Sequence, residues 1–65
     1  MRLNSEDKYW LDKCKENPNK YSIMINENSI YVVSTPIDKM LHEFSNGIYF
    51  ISQLLEYFGF PYDIV

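Results

Sequence analysis

The 65-residue sequence contains no alanine, one arginine, one cysteine and two glycines. A single cysteine, Cys14, excludes an intrachain disulfide framework. Zinc sites need three or four ligands and phosphate loops need clustered glycines, so we expect no metal and no cofactor. The chain lacks the run of about 18 apolar residues that a membrane span requires. Its first residues also lack the apolar stretch of a signal peptide. We therefore expect a soluble, cytoplasmic protein.

The length predicts a single domain over residues 1–65. A chain of this size buries only about 60% of the surface that its unfolded form exposes. Its stability is therefore a margin of a few kcal/mol. The missing alanine lowers helix propensity, so packing must hold the helices together.

The first half of the sequence predicts a helix followed by a β-hairpin. Asn4 can cap a helix whose first turn contains two acids, and residues 17–19, Asn-Pro-Asn, end it. Residues 21–25 and 30–35 are rich in β-branched and aromatic side chains and are joined by Asn-Glu-Asn-Ser. That spacing predicts two antiparallel strands, with Asn28 as the left-handed residue of the turn.

The second half predicts one long helix from Pro36 to Phe58. Thr35 is a suitable N-cap, and proline is favoured at the first helical position. Apolar residues then recur in steps of four and three without a change of phase across Asn46-Gly47. The alternative is a break at these two residues, which are poor helix formers. Gly59 is expected to end the helix in a left-handed conformation, with Phe60 folding back and the tail docking on the helix. The predicted fold is α+β, with the order αββα.

Two features favour self-association. A 23-residue helix is about 34 Å long and overhangs strands of about 20 Å, leaving a wide apolar arc in its second half. The strand at residues 30–35 carries no charge to protect an edge. We therefore expect a homodimer, with these residues at the contact: Val32, Phe50, Leu54 and Phe58.

Charge is distributed unevenly along the chain. Residues 1–20 contain five basic and four acidic side chains, whereas residues 21–65 contain five acidic ones against Lys39 alone. This disfavours direct nucleic-acid binding, which needs clustered lysine and arginine, and adsorption to anionic membranes. The natural complement is a basic protein. Acids and interface-prone tyrosines are the residues expected to contact it: Glu27, Tyr31, Asp38, Glu43, Tyr49, Glu56, Tyr57 and Asp63.

The sequence favours binding over catalysis. Cys14 and His42 could form a thiol-protease dyad, but they lie on different predicted elements. Cys14 is expected to be a small buried hydrophobe. His42 is expected beside Asp38 on a helix surface. We therefore expect a non-enzymatic inhibitor that blocks a basic surface of a nucleic-acid-handling protein, as antitoxins and immunity proteins do. The sequence is rich in residues whose codons contain mostly A and T, which fits an AT-rich bacterial or mobile-element genome. The alternatives are a self-associating structural or regulatory subunit and a small enzyme.

Overall fold

A computed structural model describes residues 3–65 as two helices and a four-stranded sheet. In chain order, the elements are α1 (Ser5–Glu16), β1 (Tyr21–Ile25), β2 (Ile30–Ser34), β3 (Met40–Glu43), α2 (Ile48–Tyr57) and β4 (Asp63–Ile64). The strand order in the sheet is β3-β2-β1-β4. The predicted α+β class is confirmed, whereas the order αββα is replaced by αβββαβ.

The N-terminal helix forms as the sequence predicts. The Asn4 side chain accepts a hydrogen bond of 2.8 Å from the Asp7 N–H, which satisfies one of the free amides of the first turn. Glu6 and Asp7 place negative charge where the helix dipole favours it. At the other end, the Asn17 N–H donates to the Lys13 carbonyl.

The β1–β2 hairpin is also confirmed, with antiparallel pairing from Tyr21 opposite Ser34 to Ile25 opposite Ile30. Its turn differs from the prediction. Asn26 Oδ1 accepts from the backbone amides of Asn28 and Ser29, both at 2.8 Å. This side-chain cap closes the loop without a left-handed residue at position 28. Within residues 3–65, the non-glycine residue with a positive φ is Asp38, at 56°.

The long helix from Pro36 to Phe58 is wrong. Residues 35–37 form a turn that begins with a cis Thr35-Pro36 peptide, and a left-handed Asp38 follows it. The chain then returns as β3, which pairs antiparallel with β2. The apolar spacing looked helical through β3 because a four-residue strand has too few apolar positions to distinguish a helix from a strand.

The alternative break at Asn46-Gly47 is confirmed, because α2 begins at Ile48 with Gly47 as its N-cap. The predicted C-terminal stop is also confirmed. Gly59 has a φ of 67°, its N–H donates to the Glu56 carbonyl, and the Phe60 N–H donates to the Leu55 carbonyl. These two bonds form a Schellman motif.

The tail docks on the sheet and not on a long helix. β4 pairs parallel with β1, placing Asp63 beside Met24 and Ile64 beside Ile25. The Val65 N–H extends this pairing with a bond of 2.9 Å to the Ile25 carbonyl. The tail therefore occupies the outer edge of β1.

Both helices pack on one face of the sheet, and the core lies between the two layers. The buried cluster contains Leu11, Cys14, Ile23, Ile30, Val32, Phe44, Ile51 and Leu55. Cys14 is confirmed as a buried hydrophobe, since it is fully enclosed in this cluster. Phe50 and Leu54, expected at a dimer contact, pack against the same cluster.

The strand edge that was expected to self-associate does not exist in the fold. β2 lies between β1 and β3, and Val32 is fully buried. The position of Val32 at a dimer contact was therefore wrong. β3 was not predicted, and it pairs with the edge of β2 that would otherwise be free.

Candidate functional site

The face of the sheet opposite the helices carries its own set of side chains. Successive residues of a strand point to opposite faces, and residues paired across strands share a face. Ile23 and Val32 point into the core, so their neighbours Ser22, Met24 and Tyr31 point away from the helices. We call this surface the open face; it consists of Ser22, Met24, Tyr31, Val33, Met40, Glu43 and Asp63.

One row of side chains crosses all four strands of the open face. Glu43 on β3 lies opposite Tyr31 on β2, Tyr31 lies opposite Met24 on β1, and Met24 lies beside Asp63 on β4. With strands about 4.8 Å apart, the row is about 15 Å long. It has an apolar centre and a carboxylate at each end.

A second row lies beside it. Met40 lies opposite Val33, and Val33 lies opposite Ser22. An irregularity in the pairing of β2 with β3, between Val32 and Val33, brings Met40 to this position. The Met40 side chain is 53% exposed, whereas Val33 is buried. The open face thus has an exposed methionine at its edge.

The open face is acidic. The described strands contain no lysine or arginine, and their two acids, Glu43 and Asp63, both belong to it. Beyond the ends of the hairpin lie the exposed acids Glu27 and Asp38. Lys20 and Lys39 lie at the Asp38 end, so the carboxylates of the rows and of Glu27 dominate the rest of the face.

The helix layer holds the other lysines. Lys15 Nζ lies 4.3 Å from the centre of the Phe58 ring, and Lys13 Nζ lies 5.4 Å from that of Tyr9. Phe58, expected at a dimer contact, is half exposed and covered in part by this ammonium group. The helices therefore mix three lysines with five acids, whereas the strands carry acids alone.

The predicted partner-binding residues separate into three groups. The sheet brings Tyr31, Glu43 and Asp63 together on the open face. Glu27 and Asp38 lie in the turns at opposite ends of the hairpin. The remaining three are exposed on α2, in the other layer: Tyr49, Glu56 and Tyr57.

Sequence reasoning missed Met24 and Met40 as members of this surface. Methionine is flexible and polarizable, and it is common at adaptable binding surfaces. The alternation of the β1 residues around Ile23 is a signal that would have placed Met24 on the open face. Met40 had no such signal, because β3 was interpreted as helix.

A cleft lies at the edge of the sheet, between β1 and the tail. Its volume is about 110 Å³, and its lining residues are Pro18, Tyr21, Ser22, Ile23, Phe60, Pro61, Tyr62 and Asp63. Pairing of β4 with β1 starts at Met24, so residues 21–23 of β1 border the cleft. Ser22 and Asp63 belong to both the cleft and the open face, which makes the two surfaces continuous.

Asp7 and His42 form a polar cluster inside the molecule. Asp7 is fully buried; its Oδ1 lies 2.8 Å from His42 Nε2, and its Oδ2 accepts a 2.9 Å bond from the Asn46 N–H. Burial alone raises the pKa of the Asp7 carboxyl, but the hydrogen bonds from Asn46, His42 and Ser45 outweigh it and lower the pKa below its usual value. This carboxylate ties α1 to the connection between β3 and α2.

The arrangement of this cluster corrects two expectations. His42 does not pair with Asp38 on a helix surface; it points into the molecule and stacks on Trp10, with ring centres 6.0 Å apart. Cys14 lies in the core, where burial raises the pKa of its thiol to about 11. A thiol with that pKa is protonated at neutral pH and is a poor nucleophile.

Other kinds of site have little support within residues 3–65. The described histidine, cysteine and acidic residues form no group of three or more that could hold a metal ion. Neither of the two described helices is long and apolar enough to cross a membrane. Comparisons with protein-family models, with curated proteins and with solved structures find no significant match.

Proposed function

We propose that this protein is a small, non-enzymatic binding module that docks the open face of its sheet on a basic surface of another protein. The single observation that carries the proposal is the row from Glu43 to Asp63, with an apolar centre and a carboxylate on each edge strand. Tyrosine and methionine are enriched at protein interfaces. Carboxylates around them favour a partner rich in lysine and arginine.

The contact needs more than the two rows. Four strands of two to five residues give a face of at most roughly 15 by 16 Å, or about 240 Å². A stable interface buries about 800 Å² on each partner. The turns at the ends of the hairpin can extend the face, since they hold Glu27, Asp38 and Ile37, whose side chain is 77% exposed. A partner groove that wraps the hairpin from turn to turn fits these dimensions better than a flat patch.

A protein that handles nucleic acid fits this requirement. Its phosphate-binding groove is built from clustered lysine and arginine. An acidic sheet seated in that groove would neutralise these groups and exclude the nucleic acid by occupying the same surface. The proposed action is therefore inhibition by competition, which requires no chemistry from the open face.

The test compares two charge-matched double variants as baits in a host lysate. Glu43→Gln with Asp63→Asn removes both carboxylates of the open face, whereas Glu16→Gln with Glu56→Gln removes two exposed carboxylates of the helix layer. The wild type and the helix-layer variant should retain the same basic protein at low salt and release it as salt rises. The open-face variant should retain much less of it.

Two results would contradict the proposal. One is equal retention of the same protein by both double variants. The other is retention that high salt does not weaken, because an interface built on exposed carboxylates must be screened by salt.

Self-association is the second candidate function, and the exposed side of α2 favours it. Tyr49 is 86% exposed, Tyr57 is 82% exposed and Phe58 is 50% exposed. Tyr57 and Phe58 contact each other edge to face, which gives a small aromatic patch at the end of the helix. A second copy could cover this patch without occupying the open face.

A further inference from the structure

The cleft beside β1 is lined mostly by aromatic and proline residues. Three of its residues are aromatic, Tyr21, Phe60 and Tyr62, and two are prolines. The single charged lining residue among those described is Asp63. An apolar cleft with one carboxylate favours a positively charged group that also has a flat or apolar part.

The walls of the cleft are held in place by the core. Tyr21, Phe60 and Tyr62 are partly buried and pack against the core cluster. Tyr21 also meets Trp10 edge to face, with ring centres 5.7 Å apart. On the tail side, Phe60 is fixed by its backbone bond to Leu55, and Asp63 is fixed by the pairing of β4 with β1. A preformed cleft loses little entropy when it binds a side chain.

We propose that this cleft binds an arginine side chain of the protein that docks on the open face. A guanidinium group is planar, stacks on aromatic rings and pairs with a carboxylate, which matches the aromatic residues and Asp63. The volume of about 110 Å³ exceeds the roughly 10–15 Å³ needed by one water, so several atoms can enter. A neutral apolar side chain would cover Asp63 without pairing it, and an acidic one would be repelled.

This inference rests on the proposed function, because the arginine belongs to the same partner. Asp63 and Ser22 connect the cleft to the open face. A partner docked on the rows can therefore extend one basic side chain over the edge of β1. The cleft would supply specificity for arginine, while the rows would supply the general preference for a basic surface.

The test is a titration of the full chain with N-acetyl-arginine methylamide, followed by backbone amide NMR. N-acetyl-citrulline methylamide is the matched neutral probe, since it has nearly the same shape without the charge. The arginine probe should shift the amide resonances of Ser22, Ile23, Tyr62 and Asp63. The citrulline probe should bind about tenfold more weakly, because it lacks the charge-assisted bond.

Two variants locate the site. Asp63→Asn should weaken binding of the arginine probe about tenfold, whereas Glu6→Gln, at an exposed acid of α1 outside the cleft, should leave it unchanged. Tyr62→Leu should also weaken binding, because it removes one ring from the cleft wall. Equal binding of the two probes, or shifts confined to residues outside the cleft, would overturn the inference.

The outcomes separate this inference from the proposed function. If the arginine probe fails to shift the cleft while the open-face variant still loses the basic partner, the cleft inference is overturned and the docking proposal stands. If the probe binds the cleft as expected but both double variants retain the partner equally, the open-face proposal is overturned and arginine binding by the cleft stands.

Discussion

Of the substitutions that replace an acidic residue in this chain, those at Asp7 should lower the free energy of unfolding most. Its carboxylate is fully buried and interacts with the Asn46 N–H at 2.9 Å, the Ser45 N–H at 3.2 Å and His42 Nε2 at 2.8 Å. Asp7→Asn keeps the shape but turns an amide NH₂ toward these groups, so at least one donor loses its acceptor. An unsatisfied buried polar group costs about 1–3 kcal/mol. We expect a loss of about 2–3 kcal/mol, a large part of the margin of so small a chain.

Thermal unfolding followed by circular dichroism measures this loss. In a chain of this size, about 1 kcal/mol lowers the Tm by about 4–8 °C, so Asp7→Asn should lower it by at least about 8 °C at neutral pH. The control is Asp12→Asn, which removes the carboxylate of α1 that pairs with Lys8. Its 2.9 Å ion pair with Lys8 is exposed, and such i,i+4 pairs contribute about 0.3–0.5 kcal/mol.

The pH dependence provides a second test of the same carboxylate. The pKa of Asp7 in the folded protein lies below its usual value of 3.8. Its contribution is therefore complete above pH 3.8 and is lost as the pH falls through the folded pKa. The difference in stability between wild type and Asp7→Asn should shrink in acid. Equal melting of the Asp7 and Asp12 variants at neutral pH, or a difference that acid does not reduce, would show that the buried carboxylate does not stabilise the fold.

Two further predictions concern α2. Gly47 caps the helix without a side-chain hydrogen bond, and a Cβ there meets nothing within 4 Å. Gly47→Ser should therefore raise the free energy of unfolding by a few tenths of a kcal/mol, because serine can supply the cap. Gly47→Ala should lower it, because alanine cannot. Urea unfolding of the three proteins checks the sign, and a more stable alanine variant would contradict the cap assignment. Self-association through the exposed end of α2 predicts a homodimer at micromolar concentration, which Tyr57→Lys should weaken. A constant mass of 7.8 kDa in analytical ultracentrifugation across that range would contradict the dimer.

The parts of the fold that local chemistry determines could be predicted. Asn4 and the acids after it start α1, the alternating strands form the hairpin, and Gly59 ends α2 in the expected conformation. Each of these signals lies within a few residues of the feature it specifies. The pairing of β3 with β2 depends instead on a match between two segments, and its sequence Met-Leu-His-Glu has no alternation that indicates a strand.

The same limit applies to the candidate site. Tyr31, Glu43 and Asp63 were predicted to contact a partner from their residue types, but their alignment in one row depends on strand pairing. The sequence identified Asp7 only as one of two acids in the first turn of a helix, because its partners His42 and Asn46 lie 35 and 39 residues away. Interactions at such separation leave no local pattern in a sequence.

The most direct test of the account is site-specific photocrosslinking from the two layers. Met40→p-benzoylphenylalanine places the crosslinker on the open face at a side chain that is 53% exposed, and Tyr57→p-benzoylphenylalanine places it on α2 at one that is 82% exposed. Docking through the open face predicts that the probe at position 40 crosslinks to a basic, nucleic-acid-handling protein in the host and that the probe at position 57 does not. Crosslinking of that protein from position 57 and not from position 40 would contradict the account.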